Sequence, residues 1–426
     1  MHRRDANLNP DQTGTAEAAA RHSLLRMSSF KWLLIRAFDL AFQSLFSLLP
    51  PLRALKNSNA APEGILVMEY WNLGDLAILV PFLKNLRSNF PKARISLVAN
   101  PKHGALLEEQ GLVDEIIPFP VPWAQHFNRW KKYSPFSADW LSLGRVLLAL
   151  RKRNFAWAFS GRMDLRDNFF LWLSGARRRF GYGFAGGEAF LTDCVTPDLT
   201  RPHRSDIWLR LLEGVRLSPD RSLAHFRMAD AELTSAQSYL AALGIPSGTT
   251  LVGIHPGARL ATRRWGAERF AEIARQLLNK TDAHILWFAE PGDKNESPRL
   301  DRCHLVRVGL RHFLSLLSCC RLLICNDSGP MHLANLVSVP VVAVFGPQRP
   351  EWFGPRGPLD RVVVRPEFSC RPCFDYCVFD QPYCLRAISP KEVYAAVRSA
   401  LQGAPNLAQE AAHADMEGDR QLAQTS

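Results

Sequence analysis

Residues 321–345 read RLLICNDSGPMHLANLVSVPVVAVF. The stretch opens on a short apolar run, 321–325, and breaks at Asn326-Asp327-Ser328-Gly329-Pro330. It resumes with helical spacing in MHLANLV and closes on a second apolar run, 339–345. Short apolar runs bounded by Gly and Pro are strands buried on both faces, so the segment is a strand–helix–strand unit of a parallel sheet. Asp327 or Ser328 can cap the helix, and Pro330 suits its first turn. The N–H groups exposed at that helix start can hold a phosphate. His332, one turn in, faces the same end, although a packed helix histidine is the commoner role for such a residue.

The same alternation runs outward in both directions. Strand-like runs occur at 65–69, 94–99, 115–119, 156–160, 251–255, 284–289, 304–308, 321–325 and 339–345. Helical periodicity marks 76–89, 139–153, 203–215, 230–243, 267–279 and 390–402. Strand–helix alternation implies α/β architecture with helices on both faces of parallel sheets. The pattern occurs twice, separated by the breaker Gly244-Ile245-Pro246-Ser247-Gly248. The expected organisation is therefore two facing Rossmann-like doubly wound domains, residues 61–245 and 246–402. Such domains bind ligands at the carboxyl ends of their strands.

The chain has 426 residues, 47% apolar and 22% charged, which excludes a wholly disordered or polytopic membrane protein. Its formal net charge of +12 favours anionic partners. Nine cysteines are too few for a disulfide scaffold of this length and fit a reducing compartment. Residues 1–29 read as a disordered lead, with Met27 an alternative start, and 403–426 as a disordered tail. Residues 30–60 hold an amphipathic helix and linker. Lys31, Arg36, Asp39, Gln43 and Ser47 form a narrow polar stripe; Trp32, Leu33, Leu34, Phe38, Phe42, Leu45, Phe46 and Leu49 form a wide apolar face. The charges argue against a spanning helix, and no cleavage site marks a signal peptide. Two readings stand: a helix in the membrane interface, or one packed on the body of the protein.

Three further places can carry chemistry. Asn72, Gly74 and Asp75 follow the first strand, where Asp75 can take a proton from a substrate hydroxyl or simply cap the helix. His255-Pro256-Gly257-Ala258-Arg259, followed by Arg263-Arg264-Trp265, sets a glycine loop and guanidinium groups before a helix, which suits a pyrophosphate. Cys370, Cys373, Cys377 and Cys384 could hold a structural zinc ion or an iron–sulfur cluster, or could be packing thiols or a local disulfide. The basic runs 129–132, 151–153 and 177–179 read as solvated faces. No nucleic-acid-reading motif is present.

These motifs, in this order, resemble glycosyltransferase family 9, the bacterial heptosyltransferases of the lipopolysaccharide inner core. The resemblance covers roughly residues 64–400 and rests on NLGDLAILVPFLKNLRSNFPKARISLVA, HPGAR…RRWGAERFAEIA and NDSGPMHLANLVSVPVVAVFGP. It implies a GT-B fold and an inverting transfer from a nucleotide-sugar donor, typically ADP-heptose, to a lipid-linked glycan acceptor, with no metal in the chemistry. Asp75 would be the base, with Asn72 and Gly74 on the acceptor side. Gly257, Ala258, Arg263, Arg264, Glu290, Asp327, Ser328, Gly329 and His332 would bind the donor. Arg263 stands where the family has a lysine that binds the donor phosphate. The expected location is cytoplasmic, at the inner-membrane surface of a Gram-negative bacterium. Two competing readings are a non-catalytic nucleotide-sugar-binding protein of the same fold and a regulatory protein built on the cysteine cluster.

Overall fold

The computed structural model describes residues 29–47, 61–119, 121, 138–290 and 297–403. The expected lead and tail, the linker after the first helix, the basic run 129–132 and Asp293, which the family resemblance offers after Glu290 as the acid for the donor's nucleoside, lie outside them. Among the described residues, those up to Trp71, Leu79–Gly104 and Gly111–Arg221 form one compact unit. Asn72–Ile78, Ala105–Gln110 and those from Ser222 onward form the other.

The first unit carries, in chain order, α1 (Ser29–Ser47), β1 (Gly64–Glu69), α2 (Leu73–Asn89, its first turn grouped with the second unit), β2 (Arg94–Ala99) and β3 (Glu115–Pro118). There follow α3 (Ala138–Arg151), β4 (Trp157–Phe159), α4 (Leu165–Leu173), β5 (Arg178–Gly181), β6 (Asp193–Cys194) and α5 (Arg204–Glu213). Its six strands are all parallel, in the order β3-β2-β1-β4-β5-β6. The central strands β1 and β2 are buried almost end to end, as strands covered on both faces must be.

The second unit carries α6 (Asp230–Ala242), β7 (Leu251–His255), α7 (Ala267–Lys280), β8 (His284–Phe288), β9 (Cys303–Val306), α8 (Leu310–Ser318), β10 (Leu322–Asn326), α9 (Gly329–Leu336) and β11 (Val341–Phe345). Then come α10 (Pro350–Phe353), β12 (Arg361–Val364), α11 (Tyr383–Arg386) and α12 (Pro390–Gly403). Its sheet runs β12-β11-β10-β7-β8-β9, again parallel throughout. Counted from its own first strand, this is the 3-2-1-4-5-6 order of the first sheet. Both sheets are therefore doubly wound, and each reverses its strand order beside its first strand. Helix α7 shows why the pattern was readable: Phe270, Ile273, Ala274, Leu277 and Leu278 fall on one buried stripe over the sheet.

Three expectations need correction or adjustment. The division falls at 221/222, whereas the breaker suggested 245/246. Helix α6 goes with the second sheet because Glu232 takes a bidentate ion pair from Arg311 of α8, at 2.7–2.8 Å. The Arg177–Arg179 run is not a solvated face: Arg178 pairs with Asp193 across the sheet, and Arg179 is buried, donating to the carbonyls of Phe190 and Ala176. That run is β5. Helix α1 packs on the first unit, with Phe42 against Phe190, but its polar stripe is split: Arg36 and Gln43 are exposed and Asp39 is not. Asp39 turns inward, 4% exposed, and accepts a hydrogen bond from the Gly187 amide at 2.7 Å, while Leu33 and Leu34 face outward.

The Gly186-Gly187 turn that receives α1 has φ of 97° and 80°, where side chains are strained. A Cβ on Gly186 would also collide with Ile35 of α1. Gly186→Ala should destabilise this unit by about 1–3 kcal/mol in urea unfolding and expose residues 29–47 to protease. Unchanged unfolding and cleavage would show that α1 is not held by this turn.

Candidate active site

The strand reversal in the second sheet puts β7 beside β10, so the loops leaving their carboxyl ends emerge side by side. Asn326, fully buried at the end of β10, ties the two loops together. Its side-chain oxygen accepts from the Trp265 amide at 3.0 Å, and its side-chain nitrogen donates to the Pro256 carbonyl at 2.7 Å. The glycine loop 256–259 and the 326–332 turn thus become one surface. Gly257 and Ala258 lie on it, and the Ala258 carbonyl accepts from Arg264 at 2.7 Å. Gly257 packs against His255, where a Cβ would stand 3.0 Å from the ring. Trp265 anchors the far side by donating its indole N–H to the Ile388 carbonyl.

Helix α9 begins at this surface with Pro330 in its first turn. Ser328 holds the N-cap position, but its hydroxyl donates to the Asn326 carbonyl at 3.2 Å and does not cap the helix. Asp327 is also not a cap. It is buried beside Arg263, 3.4 Å from the guanidinium, with Oδ2 accepting no hydrogen bond. Burial pushes its carboxyl up to about 6; Arg263 opposes the shift and Asp375 adds to it.

Arg263 itself is clamped. Asp375 receives two of its N–H groups at 2.7 and 2.6 Å. Burial alone would lower the guanidinium's affinity for its proton, but the Asp327 and Asp375 carboxylates outweigh it, so the shift is upward. Asp375 and Gln348 are site residues that the motif reading missed. Asp375 lies inside the cysteine-rich segment, where Phe374 and Asp375 both have positive φ, 51° and 68°. That segment is stitched to the loop after β11: Arg371 donates to the carbonyls of Gly346 and Gln348, and Gln348 donates to Asp375 at 3.0 Å. The sequence signal was a lone Asp between cysteines, with nothing to tie it to Arg263, 112 residues away.

The four cysteines of that segment line one small cavity with Phe368, Phe379 and Tyr383. None of the described cysteines is in a disulfide. Among the described residues, no group of three or more His, Cys, Asp or Glu side chains is arranged to hold a metal ion.

The first turn of α2 completes the surface. Asn72 precedes it, and Asp75 accepts from both the backbone and side-chain nitrogens of Asn72, at 3.2 and 3.1 Å. This is the reach-back of a capping box, so Asp75 does serve the helix end. Gly74 lies against α9: a Cβ there would stand 3.0 Å from the His332 ring and 3.4 Å from the Gly329 Cα. The Asp75 carboxylate is also close enough to Arg259 and Arg263 to act on both electrostatically. Asp75, Asn72, Gly74, Arg263, Asp327, Gly329 and His332 therefore share one place. Glu290 stands apart from these contacts, exposed just past the end of β8.

Two parallel six-stranded sheets of this order, each flanked by helices, are a fold of GT-B type. Residues 211–383 match glycosyltransferase family 9 (heptosyltransferase). Over 184 residues the chain is 28% identical to lipooligosaccharide heptosyltransferase 2 of Campylobacter jejuni, a match covering 40% of this chain and 57% of that protein. It is 22% identical to lipopolysaccharide heptosyltransferase 2 of Salmonella typhimurium, covering 68% and 85%. The chain thus spans less than two thirds of the Campylobacter protein. In structure it resembles the Escherichia coli ADP-heptose lps heptosyltransferase II, with TM-score 0.61, 18% identity, and coverage of 80% of this chain and 98% of that one. The family 9 glycosyltransferase of Veillonella parvula gives 0.63, 22%, 82% and 99%. In sequence and fold the chain is similar to the family 9 heptosyltransferases.

Asp375→Asn should break the bidentate pair and cost about 2 kcal/mol in unfolding of the second unit, because a half-buried guanidinium loses its main acceptor. Stability equal to wild type would mean that Asp375 does not hold Arg263.

Proposed function

We propose that the protein is an inverting glycosyltransferase that moves a heptose, or a related sugar, from a nucleotide-sugar donor to a hydroxyl of a lipopolysaccharide core or other lipid-linked glycan. ADP-heptose is the proposed donor: the similar Escherichia coli enzymes are named for heptose transfer, and one was solved with ADP. The observation that carries the reading is the packing of the Gly74-Asp75 turn on Gly329 and His332. It sets a carboxylate beside the helix end and guanidinium groups that suit a diphosphate.

The chemistry is one displacement. Asp75 takes the proton of the acceptor hydroxyl as that oxygen bonds to the anomeric carbon. The bond from this carbon to the diphosphate oxygen breaks, and the electron pair leaves with the nucleoside diphosphate. One in-line step inverts the configuration. The departing charge is met by the N–H groups of the first turn of α9 and by the guanidinium groups of the 256–264 loop. Asn72 orients the base through its two hydrogen bonds.

Arg263 is shared between the donor and two carboxylates. Above about pH 6 Asp327 is ionised, and the Asp327–Arg263–Asp375 cluster carries a net negative charge that opposes a diphosphate. Protonation of Asp327 removes that opposition, so its contribution to donor affinity improves as pH falls through this range. Because ADP also titrates, the comparison is between wild type and Asp327→Asn. The variant should bind ADP several-fold more tightly near pH 8 and about equally near pH 5. Calorimetry giving a constant ratio at both pH values would refute the role assigned to Asp327.

Asp75→Asn should lower turnover by about 10²–10⁴-fold while leaving ADP affinity within about twofold. Radiolabelled sugar transfer to lipid acceptor, with calorimetric ADP binding, measures both. Turnover near wild type in that variant would sink the mechanism.

A further inference from the structure

The chemistry proposed above uses none of Cys370, Cys373, Cys377 and Cys384, yet all four line one small cavity. Local structure brings them there. Tyr376 donates its backbone N–H to the Cys373 carbonyl at 3.0 Å, and the two residues inside this turn, Phe374 and Asp375, have positive φ. The chain therefore doubles back, and Cys377 returns to the cavity that Cys373 lines. Helix α11 supplies Cys384, and Phe379 packs on Tyr383 with ring centroids 5.6 Å apart. Cys373 is within electrostatic reach of Cys370 and Cys377, and Cys384 of Cys370 and Cys373.

Burial divides the four in a way that plain packing does not require. Cys373 and Cys384 are buried, whereas Cys370 and Cys377 are half-buried. A half-buried thiol can meet a solute, and a buried neighbour can then displace that solute. This is the arrangement of a dithiol that exchanges with disulfides. The cavity also adjoins the candidate site. Thr262, next to Arg263, and Pro347, in the loop after β11, line it too, and the Cys373 N–H donates to the Pro347 carbonyl at 3.3 Å. Asp375, which holds Arg263 by two hydrogen bonds, stands in the turn between Cys373 and Cys377.

We propose that Cys373 and Cys377 form a thiol–disulfide switch on Arg263. The Cys377 thiolate attacks one sulfur of a low-molecular-weight disulfide and releases one small thiol. Cys373 then loses its proton, attacks the Cys377 sulfur of the mixed disulfide and releases the second. Two protein S–H bonds give one S–S bond, and the small disulfide carries away two electrons and two protons as two thiols. The new bond closes a ring around Asp375, where two successive positive-φ residues have little freedom to adjust. The carboxylate is drawn off Arg263, and the guanidinium loses its orientation. In a reducing compartment the pair stays open, and the bond forms only when oxidised thiols accumulate. Bond formation stands apart from the sugar-transfer reading; its effect on the donor rests on that reading.

The test treats the full chain, purified in reductant, with oxidised glutathione and reads intact mass, peptide maps and calorimetric ADP affinity. The oxidised chain should carry one Cys373–Cys377 bond, bind ADP several-fold more weakly, and recover with dithiothreitol. Cys377→Ser should bind ADP like the reduced wild type and no longer respond to the oxidant. Cys373→Ser should retain glutathione on Cys377 as a mixed disulfide. Four results would overturn the proposal: no bond within the segment, a bond joining another pair, ADP affinity unchanged by a mapped Cys373–Cys377 bond, or a zinc or iron ion held by these thiols in the purified chain. Failure of the reduced chain to bind ADP would instead overturn the donor reading, and with it the effect on the donor, while the peptide map alone decides the bond.

Discussion

The parallel pairing of β7 with β10 is the constraint on which the candidate site depends. In a doubly wound sheet, the strand order can reverse only where two strands separated by a long stretch of chain lie side by side. Their carboxyl-end loops then leave together, with no crossover helix between them. Here those loops are the glycine–arginine loop and the Asn326–His332 turn, more than sixty residues apart in sequence. The pairing is apolar in origin, since Val252, Ile254, Leu322 and Ile324 are fully buried. Asn326 converts that proximity into a defined surface, because a fully buried amide must be satisfied and finds its partners on the other loop.

The electrostatics follow from the same crowding. One guanidinium, Arg263, sits between a buried carboxylate and a half-buried one. An arginine so placed is already oriented when an anion arrives, with less side-chain entropy to lose. The cost is competition: the ligand must share the cation with two resident charges. A lysine could not make the bidentate bond to Asp375, so the arginine and the aspartate form a geometric pair.

The sequence carried the strands and helices well where hydrophobic periodicity is strong. β2 and β7 fall on the expected residues, and α7 within one residue. It failed where charge masked burial. β5 reads RRFG, yet Arg179 lies inside because the Phe190 and Ala176 carbonyls need donors there. β12 was missed because RVVV is short and only half-buried at the sheet edge. Asp39 falls on the polar stripe of its helix, and nothing local announces that a glycine turn some 150 residues later needs an acceptor. The motifs carrying Asp75 and Asp327 were legible because their chemistry is local: a glycine, an acid and a helix start. Asp375 was not, because its role exists only once the chain has folded back onto Arg263.

The central claim is that the carboxylate of Asp75 and the 326–332 turn address the same donor sugar. The most direct test is a crystal structure with a non-transferable ADP-heptose analogue. The account places the diphosphate against the first turn of α9 and the 256–264 loop, with the anomeric carbon facing Asp75 across the space for one hydroxyl. A diphosphate bound elsewhere, or an anomeric carbon turned away from Asp75, would contradict it.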